Sequence, residues 1–353
     1  MKIAIRADGG TKMGMGHIMR TLVLAKELIK QNNEVFYICR IDLTSRAMYR
    51  EEFQHKFLSD EIKEMCISDI YKNGIEKLIS EGFKVCFVRE NHLIEDISII
   101  SADLLITDSY DVDENYFDKT KAMFNKTAYI DDMNLYKFNL DFLINQNIDA
   151  EDFDYKVNDS TKLILGAKYI MIRDEFRNLS PKSIKSKACD IILTVGGADP
   201  FHITDKILSW IKNLDYNFHV VVGPSFDKSE VLESYKNDKI KLYYNANMHM
   251  LMKKCDVAIS ACGSTLYELA VCGVPTIGII IADNQLGIGE KLNNMGVIKN
   301  LGWYDKINRE DFINNLNELI SDYELRKIMA KRASSIIDGK GAERIAKILC
   351  EKF

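Results

Sequence analysis

Two rhythms of apolar and polar positions alternate along the chain. Short apolar runs rich in β-branched and aromatic residues predict strands at Lys2–Arg6, Glu34–Cys39, Lys84–Val88, Leu104–Thr107, Thr127–Ile130 and Phe142–Asn145. Spacings of three and four predict a helix over His17–Lys30, with Ile18, Leu22, Ala25 and Leu28-Ile29 on its apolar side, and another over Asp69–Glu81. Strands alternating with helices imply a parallel sheet covered on both faces. The rhythm breaks into a polar, basic, proline-containing stretch from Asn178 to Lys187, which predicts a linker over 179–188. It restarts with a strand at Asp190–Val195, a turn at Gly196-Gly197, a helix at His202–Lys212 and a strand at Asn217–Val222. Further strands are expected at Ile240–Tyr243, Val257–Ser260 and Thr276–Ile281, then helices near Arg309–Ser321, Tyr323–Ser335 and Ala342–Lys352. The expected organisation is α/β, with two doubly wound Rossmann-like domains, 1–178 and 189–353, facing a ligand cleft.

Composition narrows the function classes. At 353 residues and 47% hydrophobic content the chain has material for two cores. Its 47 basic and 52 acidic residues give a net charge of −5, which favours neither a nucleic-acid surface nor a polybasic membrane patch. Cys39, Cys66, Cys86, Cys189, Cys255, Cys262, Cys272 and Cys350 form no C-x-x-C pair, so free thiols in a reducing cytoplasm are expected and structural zinc is not. Met1-Lys2-Ile3-Ala4 runs directly into a strand, with no signal peptide and no long apolar run after it, so no stable membrane insertion is expected.

The candidate chemistry gathers at strand ends. Gly9, Gly10, Gly14 and Gly16 follow the first strand, where they suit close approach of backbone to a ligand, and lead to His17, which the pattern places at the start of a helix. Open α/β sheets bind ligands at the carboxyl ends of their strands, so His17 is a candidate general base beside an anionic substrate. Asp8 is either an orienting carboxylate or a turn residue. A dinucleotide fingerprint fails because Met19 stands at the third glycine position and Cys39-Arg40 where an acid should close the second strand. In the second half, Gly263, Ser264 and Thr265 stand between strand and helix, where amides and hydroxyls suit a diphosphate without metal; Glu268 follows one turn on, in reach of ribose hydroxyls. Gly196-Gly197-Ala198-Asp199-Pro200 is a second anion-contact candidate, and Asp283-Asn284-Gln285 could reach sugar hydroxyls or an N-acetyl group. Asp111-Val112-Asp113 has the form of a metal-holding D-x-D, but Asp113 also suits a helix cap, and no metal or cofactor is expected.

The run Arg6-Ala7-Asp8 through Gly14-Met15-Gly16-His17-Ile18-Met19-Arg20 resembles the bacterial nucleotide-sugar hydrolases of pseudaminic acid biosynthesis, which cleave UDP-2,4-diacetamido-2,4,6-trideoxy-β-L-altropyranose. The resemblance continues through Asp108-Ser109-Tyr110, Ile130-Asp131-Asp132, Asn145, Gly166, Tyr169–Phe176, Val195–Asp199 and Gly263–Glu268. It implies the two-domain GT-B fold, shared with the transferase that adds N-acetylglucosamine to lipid I, with the catalytic base and the sugar site expected in 1–178 and the UDP site in 189–353. It also implies that His17 activates water against the anomeric carbon, with C–O cleavage and inversion. Glu268 would grip the ribose, Gly263–Thr265 the phosphates and backbone near Met248 the uracil; Asp8, Gly14, Gly16, Arg20, Tyr110, Arg173, Gly196, Gly197, Asn284 and Gln285 are the remaining candidate substrate contacts. Some members carry histidine where Ser109 stands, so only Tyr110 is carried over from that pair. UDP is a good leaving group, so one base and amide donors for the diphosphate would suffice. A GT-B glycosyltransferase using a UDP-amino sugar, a hydrolase of a related UDP-diacetamido sugar and a non-catalytic nucleotide-sugar sensor are the alternatives; His17 with both glycine turns argues against the last.

Overall fold

The computed structural model describes residues 1–10, 13–41, 69–177, 179–180, 182–226 and 229–351. Thr11, Lys12, Cys66, Asn178, Pro181 and Lys352 lie outside the described residues. The chain divides into two compact units: Met1–Gln146 with Ala150–Met171 and the segment from Gly341, and Asn147–Asp149 with Ile172–Lys340.

In the first unit β1 (Lys2–Ala7), β2 (Glu34–Ile41), β3 (Val85–Arg89), β4 (Leu104–Asp108), β5 (Lys126–Ile130), β7 (Phe142–Asn145) and β9 (Lys162–Leu165) form one parallel sheet, ordered β3-β2-β1-β4-β5-β7-β9. Two short strands, β6 (Lys137–Phe138) and β8 (Lys156–Val157), pair apart from it. Both faces are covered, so β1 is apolar on each: Ile3, Ile5 and Ala7 enter one core and Ala4 the other. The helices are α1 (Gly16–Lys30), α2 (Asp69–Ser80), α3 (Leu93–Ile97) and α4 (Glu114–Met123). In α1, Ile18, Leu22, Ala25 and Leu28 are buried as their spacing requires, whereas Ile29 is 47% exposed and lies off the stripe.

The second unit repeats the plan. Its parallel sheet runs β12 (Ile240–Tyr243), β11 (Asn217–Val221), β10 (Asp190–Thr194), β13 (Val257–Ala261), β14 (Thr276–Ile280), β15 (Ile298–Trp303). It carries α5 (Ile203–Ile211), α6 (Ser229–Glu233), α7 (Met248–Lys254), α8 (Thr265–Val271), α9 (Leu286–Asn294), α10 (Arg309–Ser321) and α11 (Tyr323–Ile336). Among the described residues no helix is long and apolar enough to cross a membrane.

The boundaries differ from the sequence reading: Asn147–Asp149 join the second unit, which begins again at Ile172 and not at 189. The last helix, α12 (Gly341–Cys350), belongs to the first unit, not the second: Ala342, Ile345, Ala346 and Leu349 are buried in the core that also holds Leu24 and Leu28 of α1. Amphipathic spacing shows that such a helix is buried, but not against which core. The described part of the expected linker is clasped to the second unit. Lys182 Nζ donates to the carbonyls of Met252, Lys253 and Cys255 at 2.8, 2.8 and 2.6 Å, closing the C-terminus of α7. The buried Arg326 guanidinium donates to the carbonyls of Lys185 and Ser186 at 3.0 Å each. Of the described cysteines, Cys39, Cys86, Cys255, Cys262 and Cys272 are buried and Cys189 and Cys350 half-buried, all as free thiols.

Candidate functional site

In each sheet the connections leave the central pair of strands in opposite directions, which opens a crevice at the carboxyl ends of β1 and β4 and of β10 and β13. The first crevice is built on the β1–α1 turn. Gly10 and Gly14 bond to each other in an antiparallel bridge at 3.0 and 2.9 Å, and Gly14 takes φ +73°, a conformation open to glycine. The turn delivers His17 as the second residue of α1, where the sequence pattern expects it. The expectation that all four glycines serve ligand approach needs correction: a side chain on Gly10 would meet the Ile70 carbonyl oxygen at 1.7 Å, so this glycine packs the turn against α2.

Across the crevice stands Asp108, the last residue of β4 and fully buried. His17 Nδ1 lies 2.5 Å from its Oδ1, and Arg20, one turn further along α1, donates to Asp108 through Nε and Nη2 at 2.6 Å each. Arg20 Nη1 reaches Asp132 Oδ1 at 2.7 Å, and the Tyr110 hydroxyl donates to Asp132 Oδ2 at 2.9 Å. The Tyr110 ring meets the imidazole edge to face, centroids 4.6 Å apart. Burial pushes the Asp108 carboxyl up, but Arg20 and then His17 outweigh it and hold it at about 2. An ionised Asp108 can only accept, so His17 donates to it through Nδ1–H and in the neutral ring Nε2 carries the lone pair. Nε2 has no partner among the described residues.

The other sequence candidates of this unit fall into place differently. Asp8 gives both oxygens to Arg40, accepting from its backbone N at 2.8 Å and its Nε at 2.7 Å, which is the turn-holding role. Asp111 pairs with the same arginine and Asp113 accepts from Tyr116 N at 2.7 Å as the cap of α4, so the D-x-D carboxylates are both engaged. Gly16 heads α1 in open space. Sequence reasoning assigned no role to Asp108, Asp132 or Arg40. The signal was there: Asp108 and Asp131-Asp132 each close an apolar strand at its carboxyl end. Asp131 accepts from Met133 N and Asn134 N at 3.1 and 2.8 Å; burial, against those amides, raises its carboxyl to about 6.

In the second crevice Gly196 takes φ +105° and Gly197 O accepts from Ser225 N at 2.9 Å. Asp199 accepts from Ile203 N and Thr204 N at 2.8 Å each, so the first amides of α5 are already satisfied and an anion here would meet the glycine backbone instead. Gly263 and Ser264 form the turn from β13 into α8, with Thr265 its first residue and no side-chain cap. Gln285 Oε1 accepts from Ile281 N at 3.1 Å, leaving its NH₂ over the turn, 3.6 Å from where a side chain on Gly263 would begin. Asn284 shares the single turn Asp283–Gln285. Glu268, on α8, is gripped by Arg173 through Nε and Nη2 at 2.7 and 2.9 Å. Burial raises the Glu268 carboxyl and Arg173 opposes this. Four lone-pair directions less two leave this fixed carboxylate two acceptor sites. Met248 opens α7, whose start Asn247 caps through Met250 N at 3.0 Å.

Residues 191–348 match the glycosyltransferase family 28 C-terminal domain. The chain is 30% identical over 304 residues to an uncharacterized protein of Methanocaldococcus jannaschii, covering 81% of this chain and 56% of that protein, so it spans only about half of that relative's length. It is 24% identical over 363 residues to the spore coat polysaccharide biosynthesis protein SpsG of Bacillus subtilis, covering 100% of this chain and 99% of that one. It is 26% identical over 292 residues to the UDP-2,4-diacetamido-2,4,6-trideoxy-β-L-altropyranose hydrolase of Campylobacter jejuni, covering 81% and 93%. The crystal structure of Acinetobacter baumannii MurG matches with a TM-score of 0.63 at 14% identity, over 99% of each chain. The chain has the two-domain α/β GT-B fold expected from its sequence.

Proposed function

We propose that this GT-B chain is an enzyme acting on nucleotide sugars, and that it hydrolyses UDP-2,4-diacetamido-2,4,6-trideoxy-β-L-altropyranose. The observation that carries the reading is the buried Asp108–His17 pair, which leaves Nε2 as the acceptor. Nε2 takes a proton from water as the water oxygen bonds to the anomeric carbon; the bond from that carbon to the β-phosphate oxygen breaks, and UDP leaves from the opposite face with inversion. Asp108, held ionised by Arg20, stabilises the imidazolium so formed. In the second unit the Gly263–Thr265 turn is assigned the diphosphate, Glu268 the ribose hydroxyls and the start of α7 near Met248 the uracil, with Gly196 and Gly197 as further backbone donors. No step needs a metal. The name of the Campylobacter relative supports the substrate.

A second reading is favoured by the family 28 domain match: a glycosyltransferase in which His17 deprotonates an acceptor alcohol rather than water. The deciding experiment is NMR of the protein with this nucleotide sugar, EDTA and ¹⁸O-water, with no acceptor. Release of UDP and a sugar labelled at C1 is expected. The His17→Ala variant should lose about 10²–10⁴ of the rate while still binding UDP. An intact nucleotide sugar, consumed only when an alcohol is added, would install the transferase reading.

A further inference from the structure

The second unit contains a cavity of about 710 Å³ bounded by the loops that follow β10, β14 and β15. Its aromatic wall is Phe201 stacked on Tyr304, centroids 4.4 Å apart and planes 21° from parallel, with Trp303 beside them. The wall is built in advance of any ligand. Tyr304 N donates to Ile280 O at 3.0 Å, Lys306 N to Trp303 O at 2.9 Å and Lys206 Nζ to Tyr304 O at 2.8 Å. Phe201 rides on the turn held by Asp199, next to His202 in the left-handed region at φ 51°. Such backbone cost is kept where the surroundings over-determine it. The outcome is a Phe201 ring fixed on one face and 47% exposed.

The polar lining decides what fits. Asp283, Asp305 and Lys306 sum to one negative charge, which disfavours the diphosphate. Gln285 reaches both the cavity and the Gly263 turn, and with Oε1 bound to Ile281 it offers only donors. The cavity therefore borders the turn that the proposed reading gives to the phosphates. On that reading Glu268 and Met248 take the nucleoside, and the group left for this cavity is the sugar. A diacetamido-trideoxyhexose bears three methyl groups and one free hydroxyl, so it is far less polar than an ordinary hexose. Its methyls suit aromatic faces, its amide N–H groups suit the carboxylates of Asp283 and Asp305, and its acetyl oxygens suit Gln285.

We propose that the Phe201–Tyr304 cavity is the sugar-specificity pocket, which takes the acetamido-bearing part of the substrate; this rests on the nucleotide-sugar reading above. The test compares binding of UDP and of the UDP-diacetamido sugar by calorimetry, in a His17→Ala background that prevents turnover, with and without Phe201→Ala. Expected is a loss of tenfold or more for the nucleotide sugar, less than twofold for UDP, and recovery in Phe201→Trp. Saturation transferred from protein to the acetyl methyls should vanish with Phe201→Ala while transfer to uracil persists. Equal weakening of both ligands, or of neither, overturns the pocket assignment. The hydrolase reading fails separately, if the unmodified protein binds the sugar through this pocket and releases no UDP.

Discussion

A single carboxylate organises the first crevice. Asp108 accepts hydrogen bonds from a bidentate arginine and from the imidazole, so its charge is fixed and the ring's orientation follows. Asp108→Asn keeps the shape but removes the charge that favours Nδ1–H. On the proposed hydrolase reading, turnover of the nucleotide sugar should fall about 10²–10⁴-fold with UDP affinity unchanged, measured as kcat against a UDP titration. His17 was legible in the sequence because a histidine after a glycine turn is conspicuous, whereas Asp108 was not, since an acid closing a strand looks like any turn residue until strand order puts β4 beside β1. Asp131 gives a pH signature of opposite kind. Its folded-state carboxyl sits near 6, above its usual 3.8, so its contribution to stability is present below about pH 4 and is lost as pH rises through 6. Asp131→Asn keeps an oxygen for the Met133 and Asn134 amides and escapes that loss. Thermal unfolding should show the variant gaining on the unmodified protein between pH 4.5 and pH 8, by up to about 3 kcal/mol.

At the scale of elements, turns carry the candidate site and strands carry the legibility. Every strand expected in the first unit is present, with ends shifted by at most two residues, because a doubly covered parallel sheet demands near-continuous apolar runs. What lies between strands was less readable, since the same glycine serves a ligand, a left-handed backbone or a close helix. Gly10 and Gly14 separate two of these cases. Gly10→Ala drives a methyl into the Ile70 carbonyl of α2, a contact with backbone that cannot swing aside. A loss of about 1–3 kcal/mol is expected, read from the urea midpoint. Gly14→Ala meets no atom within 4 Å, and its cost is the conformational one of φ +73°, about 1–2 kcal/mol. A Gly10→Ala protein as stable as the original would mean that the turn does not pack on α2 as described.

Over the whole molecule, the chain crosses between units more than once, and the return at α12 was hidden from the sequence. The apolar stripe of α12 fits any neighbouring core equally well; three-dimensional packing assigns it to α1 and the first sheet, with Ile345, Ala346 and Leu349 fully buried there. The C-terminal end thus stabilises the unit that holds His17, although most of the sequence between them forms the other unit. Truncating buried Ile345 and Leu349 to alanine costs about 2–5 kcal/mol each where the cavity does not collapse. That cost should fall on one unit. In hydrogen exchange read by mass spectrometry, peptides from β1, β4 and α1 should lose protection in Ile345→Ala/Leu349→Ala, while those from β10, β13 and β14 keep theirs. Sub-global opening follows packed cores, not sequence proximity, so protection lost first in α10 and α11, the nearer neighbours along the chain, would contradict the assignment of α12 to the first unit.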